Sequence, residues 1–180
     1  IICKFPEFIK ELPQETICMA WGYMAEQKDD ICKPIADVGA NLYLCPGACG
    51  WNTFINRIDT AYSNIKTLSG YARKYNAIGL LNTEWGDFGH VNNPSFAVPG
   101  IIYGGVFTWN LDAYSGEAAI DKEELNKAIS KIEYGDCTET YLELLEKAAL
   151  NQIFDWWSCV LLYEGFAEEE RFDEKVAPHR

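Results

Sequence analysis

Leu80-Leu81-Asn82-Thr83-Glu84-Trp85-Gly86-Asp87-Phe88-Gly89-His90 is the stretch on which the reading of this chain turns. The apolar run that begins at Ala77 stops abruptly in an acid, a tryptophan, a glycine and a second acid. A parallel strand buried on both faces reads as such a continuous apolar run. Residues beyond its carboxyl end lie at the mouth of the sheet or barrel, where ligands bind. The stretch predicts a strand over 77–82 whose end presents an indole and two carboxylates.

Two similar runs lie upstream. Thr16-Ile17-Cys18-Met19-Ala20-Trp21 and Leu42-Tyr43-Leu44-Cys45 read as strands, and helical patterns stand between the three. Asp29 to Val38 places apolar residues at 31, 35 and 38, one face of a helix. Ile58 to Tyr71 repeats this with Ile58, Tyr62, Ile65 and Leu68, with Asp59 as the expected N-cap. Gly39 and Asn76 suit left-handed positions after these helices. Strand–helix alternation at this spacing predicts βαβ units and a parallel sheet. Phe5 to Leu12 looks like the tail of one more helix, so the chain reads as beginning within a unit. Leu111 to Gly116 is expected to be a turn-rich linker. Two helices should follow, Asp121 to Ile132, capped by Asp121 with Glu124, and one from Thr138 to about Leu162. Trp156-Trp157 reads as helix packing, and the tail from Glu168 as polar and frayed. The expected organisation is a partial α/β unit over 1–110 and a C-terminal helical extension over 111–180.

The formal net charge of -12 argues against nucleic acid or an anionic membrane as partner. No segment approaches the roughly 20 apolar residues of a membrane span. The seven cysteines are odd in number and scattered, with Cys18 and Cys45 inside strand-like runs, which points to a reducing, cytoplasmic compartment. Cys45-Pro46-Gly47-Ala48-Cys49 has the wrong spacing for a redox pair or a zinc ribbon, and with two histidines neither a metal site nor a cofactor is expected. No nucleotide-binding glycine fingerprint follows a strand. No Gly-x-Ser-x-Gly elbow occurs, and His90 is read as bonding within its own loop.

Each strand-like run ends in aromatic and polar residues: Trp21-Gly22-Tyr23, then Pro46-Gly47 with Trp51-Asn52 and Arg57, then Glu84-Trp85-Gly86-Asp87. If the strands are parallel, the three clusters converge on one end of the sheet. Three tryptophans at such a mouth make an apolar box with polar corners. An indole offers a flat face to the C–H face of a pyranose, and a carboxylate accepts from its hydroxyls. Exposed tryptophans mark an interaction site, whereas the same residues packing loops onto a core would be buried and far apart.

Pro6-Glu7-Phe8-Ile9-Lys10-Glu11-Leu12-Pro13, Ala20-Trp21-Gly22-Tyr23, Leu44-Cys45-Pro46-Gly47, Trp51-Asn52 and Thr83-Glu84-Trp85-Gly86-Asp87-Phe88-Gly89-His90, taken in order, resemble the later part of family 20 glycoside hydrolases. These are β-N-acetylhexosaminidases built on a (β/α)8 TIM barrel. The likeness is to the clostridial, cytoplasmic branch, and it runs on through Tyr103-Gly104-Gly105-Val106-Phe107-Thr108-Trp109-Asn110 into the helical tail. It implies that the fold is α/β, the C-terminal portion of the barrel (about strands six to eight) followed by terminal α-helices. It implies Trp21, Trp51 and Trp85 as walls of a sugar pocket, with Trp85 under the ring, and Asp87 as the carboxylate that binds sugar hydroxyls. Tyr43 matches the tyrosine that bonds the acetamide oxygen, although Cys45 stands where the family often has Asp or Asn. Glu84 should point away or stand behind the residues that touch the sugar, since neighbours on a strand alternate sides.

The resemblance also shows what the chain lacks. Catalysis in the family is substrate-assisted and retaining, an exception to the two-carboxylate scheme, and it depends on an adjacent Asp-Glu pair after the fourth strand. No His-x-Gly-Gly-Asp-Glu-like run occurs here. The only Asp-Glu step is Asp173-Glu174 in the polar tail, and Glu123-Glu124 sits on a helix. Loss of a general acid alone removes about 10²–10⁴ in rate, so the expectation is a fragment of a hydrolase acting on terminal N-acetylhexosamine residues of glycans, inactive by itself. The alternative is a non-catalytic carbohydrate-binding α/β module. Three parallel strands leave two raw edges and a bare inner face, so a homo-oligomer or association with the missing barrel part is expected.

Overall fold

The computed structural model describes residues 4–110 and 119–163. The expected linker at 111–116, the tail from Glu168 and the Asp173-Glu174 step lie outside them. Three strands, β1 (Ile17–Trp21), β2 (Asn41–Cys45) and β3 (Gly79–Leu80), form one parallel sheet in the order β1-β2-β3. Ile17 pairs with Asn41 and Trp21 with Cys45, while Tyr43 pairs with Gly79 and Leu44 with Leu80. The third strand is shorter than the 77–82 run predicts. Its ladder nevertheless continues irregularly along β2. Ile78 N donates to Leu42 O, Leu81 N to Leu44 O, and Thr83 N to Pro46 O, and Gly47 bridges Thr83.

The helices are α1 (Lys33–Asp37), α2 (Ile58–Lys74), α3 (Val98–Trp109), α4 (Lys122–Ile132), α5 (Tyr141–Leu150) and α6 (Trp156–Tyr163). Short 3-10 turns cover Pro6–Glu11, where a helix tail is expected, and Asp29–Ile31, which takes the first turn of the expected 29–38 helix. Gly39 (φ 72°) and Asn76 (φ 50°) occupy the left-handed positions foreseen for them. Asp59 is not the cap of α2. The helix already begins at Ile58, and Asp59 lies in its first turn, where its charge meets the positive end of the helix dipole.

The 17-residue α2 carries two cores. Its later half, through Leu68, closes over Cys18, Ala20, Leu42 and Leu44 together with Ile35 of α1. Its earlier half, through Ile58, Tyr62 and Ile65, meets Tyr103 and Phe107 of α3, Ile129 of α4 and Leu142 of α5. Among the described residues the sheet is therefore covered on one face only. Side chains alternate along β1, and Ile17, Met19 and Trp21 on the opposite face stand 46%, 49% and 64% exposed. Ile78 and Leu81, flanking β3, are also exposed.

Helix α3 forms against its own composition, since each interior glycine costs about 1 kcal/mol relative to alanine. Gly100 and Gly104 serve packing instead. A Cβ on Gly100 would stand 2.5 Å from the Ala48 Cβ, and Asn82 Nδ2 donates to Gly100 O at 2.8 Å. Asp121 caps α4 as predicted, its Oδ1 accepting from Glu124 N at 2.9 Å. Asp136 caps α5: its carboxylate accepts from the amides of Thr138, Thr140 and Tyr141, and the hydrogen bonds from Thr138 lead in lowering its pKa to about 2. The single helix expected from 138 to 162 is in fact two. Asn151 caps the end of α5, and Asp155 Oδ1 accepts from Ser158 N to start α6. No helix among the described residues is long and apolar enough to cross a membrane.

Candidate functional site

The carboxyl ends of the three strands bring their aromatic residues together around one phenol, Tyr23. Trp21, leaving β1, stacks on Tyr23 with centroids 5.6 Å apart and planes 22° apart. Trp51, from the loop after β2, meets Tyr23 at 4.7 Å and 59°. Trp85, after β3, stands nearly edge-on to Tyr23 at 6.4 Å and 68°, and its Nε1–H donates to the Tyr23 hydroxyl at 2.7 Å. Distances and tilts of this kind suit aromatic pairs, whose quadrupoles disfavour a face-to-face sandwich. Burial pushes the Tyr23 phenol up from 10.0, while the hydrogen bonds of Thr83 and Trp85 pull it down.

Trp21 and Trp85 keep 64% and 47% of their surface exposed, so the cluster is an aromatic shelf facing solvent and not a core. Its floor has a specific requirement. A Cβ on Gly47 would lie 2.7 Å from the Trp51 ring and 3.0 Å from the Tyr23 ring, so only glycine admits both. The Arg57 guanidinium lies 5.7 Å over the Trp51 ring, a distance at which a cation is attracted to an indole face.

Buried asparagines tie the loops that carry these rings. Asn64 of α2, fully buried, donates to Gly22 O and Met24 O and accepts from Gly47 N, joining the ends of β1 and β2. Asn56 donates to Ala48 O, and Asn92 donates to Asn56 Oδ1 and to Gly50 O. Unpaired amides this deep would be costly. Their bonds therefore fix the rim, although the Asn92 Oδ1 is buried without a partner.

Of the other residues implicated by sequence, Tyr43 shares the open sheet face with Met19 and Trp21 but stays outside the ring cluster. Its ring lies over Gly79, where a Cβ would come within 2.2 Å of it. Cys45, expected as a departure from the family pattern, is buried, and burial raises its thiol. Asp87 is exposed in the 3-10 turn Asp87–Gly89, and none of the described contacts ties it to the indoles. Glu84 lies beyond the end of β3 and sits against the loop after β2. Its Oε2 accepts from Asn56 Nδ2 at 3.4 Å, and its Oε1 packs against Gly50, where a Cβ would come within 2.2 Å. Burial raises the Glu84 carboxyl above 4.5, with His90, Asn56 and Arg57 opposing. His90 Nδ1 lies 3.2 Å from the Trp85 carbonyl, a bond within the loop.

Sequence reasoning gave no role to Tyr23, the hub, or to Asn56, Asn64 and Asn92. The available signal was a polar residue on an otherwise apolar helical stripe, Asn64 beside Ile65. Among the described residues, no group of three His, Cys, Asp or Glu side chains comes together as metal ligands would. The buried Cys49 thiol, pushed up to about 12 by burial, makes a poor nucleophile. The arrangement offers flat apolar faces with polar groups at the margin, and no pair of carboxylates across a reacting bond. No family model, no curated protein and no solved structure matches the chain.

Proposed function

We propose that this chain is the C-terminal part of a β-N-acetylhexosaminidase-like TIM barrel of the family 20 type, about strands six to eight with the terminal helices, and that its aromatic shelf binds a terminal N-acetylhexosamine residue without hydrolysing it. The observation that carries this reading is the meeting of Trp21, Trp51 and Trp85, from three successive strand ends, on Tyr23. Indole faces exposed at one sheet mouth suit the apolar side of a pyranose, and Asp87 and Arg57 stand near enough in sequence to serve its polar rim. Hydrolysis is assigned to the whole barrel, because the Asp-Glu pair that the reaction needs has no counterpart near the shelf. Cys45 and Cys49, buried as thiols four residues apart, fit a cytoplasmic setting.

The test is titration of the full chain with N-acetylglucosamine, followed by indole N–H resonances and by calorimetry, beside a chromogenic N-acetylglucosaminide assay. Binding in about the millimolar range, loss of that binding in Trp85→Ala, and no turnover are expected. Indole signals that stay still at saturating amino sugar would remove the sugar site. Turnover by the chain that disappears in Asp87→Ala would remove the claim that the piece is inactive.

A further inference from the structure

The loop that carries Trp51 is held from two sides. Its two ends are tied to each other: Arg57 N donates to Cys49 O at 3.1 Å, Asn56 Nδ2 donates to Ala48 O, and Thr53 Oγ1 donates to Gly50 O. Its middle is held from the C-terminal helices. Gln152, in the turn between α5 and α6, accepts with Oε1 from Phe54 N at 2.8 Å and from Ile55 N at 2.9 Å. Its Nε2 donates to Ile55 O at 2.8 Å and to Ala149 O at 3.1 Å. One side-chain amide thus satisfies two successive backbone donors and an acceptor of a loop that has no secondary structure of its own. Such groups must find partners.

The contact is reciprocal. Asn52 stands in the left-handed region at φ 57°, a conformation that a residue other than glycine holds only at some cost. From there its carbonyl accepts from Trp156 N at 3.2 Å and its Oδ1 accepts from Trp157 N. These are amides at the start of α6, where a helix leaves its donors unsatisfied. The Trp156 ring meets Phe54 edge-on at 6.0 Å. Asn52 is the immediate neighbour of Trp51, so what fixes the backbone at 52 also aims the indole.

We infer that the C-terminal helical extension positions Trp51 in the aromatic shelf, and that Gln152 is the positioning residue through which it does so. The consequence for a sugar ligand rests on the function proposed above; the placement of the indole does not. A merely structural Gln152 would change stability and leave the Trp51 environment as it is in the folded protein.

The experiment compares the full chain with Gln152→Ala by indole N–H resonances, assigned through single Trp→Phe variants, and titrates both with N-acetylglucosamine. The Trp51 resonance should shift or broaden, while that of Trp109, 94% exposed on α3, stays in place. With the loop released, sugar binding should weaken roughly tenfold. A Trp51 resonance identical in both proteins overturns the inference, whereas a moved resonance with unchanged affinity upholds the positioning role and overturns its consequence for the sugar. If Trp51 moves in the variant but no amino sugar perturbs the wild-type indoles, the positioning role stands and the sugar-site reading falls. Should Gln152→Ala fail to fold, Gln152→Glu, which keeps an acceptor for Phe54 N and Ile55 N and loses the donor to Ile55 O, takes its place with the same readings.

Discussion

Single residues account for most of what distinguishes this molecule from a generic α/β unit. Tyr23 joins three indoles that the chain separates widely, and Gly47 leaves room for two of the rings to touch. The tryptophans at the strand ends were legible because the strand pattern fixes where each run stops. Tyr23 was not, because its role depends on a Trp85 hydrogen bond from 62 residues away. Glu84 invites a test at this scale. Burial raises its pKa above the ordinary 4.5, so the folded chain holds this proton more tightly than the unfolded chain. The stabilisation is complete below the unfolded value and is lost as pH rises through the folded one. Urea midpoints should therefore fall more steeply in the wild type than in Glu84→Gln, whose side chain does not titrate, as pH rises above the ordinary 4.5. Parallel profiles for the two proteins would contradict this.

At the scale of elements, Gly100 decides how closely α3 approaches the loop after β2. An added methyl would come within 2.5 Å of the Ala48 Cβ and 2.9 Å of its Cα, and backbone cannot swing aside as a flexible side chain can. Gly100→Ala should lose about 1–3 kcal/mol through overpacking, more than the gain of about 1 kcal/mol in helix propensity. The measurement is the urea midpoint at unchanged slope, and a more stable variant would refute the packing argument. This helix was illegible in the sequence for the same reason. Its glycines and β-branched residues contradict local preference, and tertiary packing decides. β1, β2, α2 and α4 were legible because their apolar periods match their burial. The break between α5 and α6 was hidden, since glutamine is a good helix former and nothing local shows that Gln152 gives its amide to a distant loop.

For the molecule as a whole, the one-sided sheet is the dominant fact. Among the described residues, Ile17, Met19 and Trp21 form an apolar face that no helix covers, and the outer edges of β1 and β3 pair with no further strand. Parallel sheets are ordinarily covered on both faces, and free edges template association. Sedimentation should show association rising with concentration in the wild type and a monomer in Met19→Lys. A wild-type chain that stays monomeric throughout would count against a face built to be covered. The clasp between Gln152 and the Trp51 loop has a temporal consequence as well. It closes across 97 residues, and the Asn52 bond to α6 across 105. During synthesis the βαβ pairings can close early, since chains fold from the N-terminal side as they emerge and short-range closures come first. The indole of residue 51 must wait for about a hundred further residues before its loop is clasped, so a nascent or prematurely terminated chain holds the sheet but not the finished shelf.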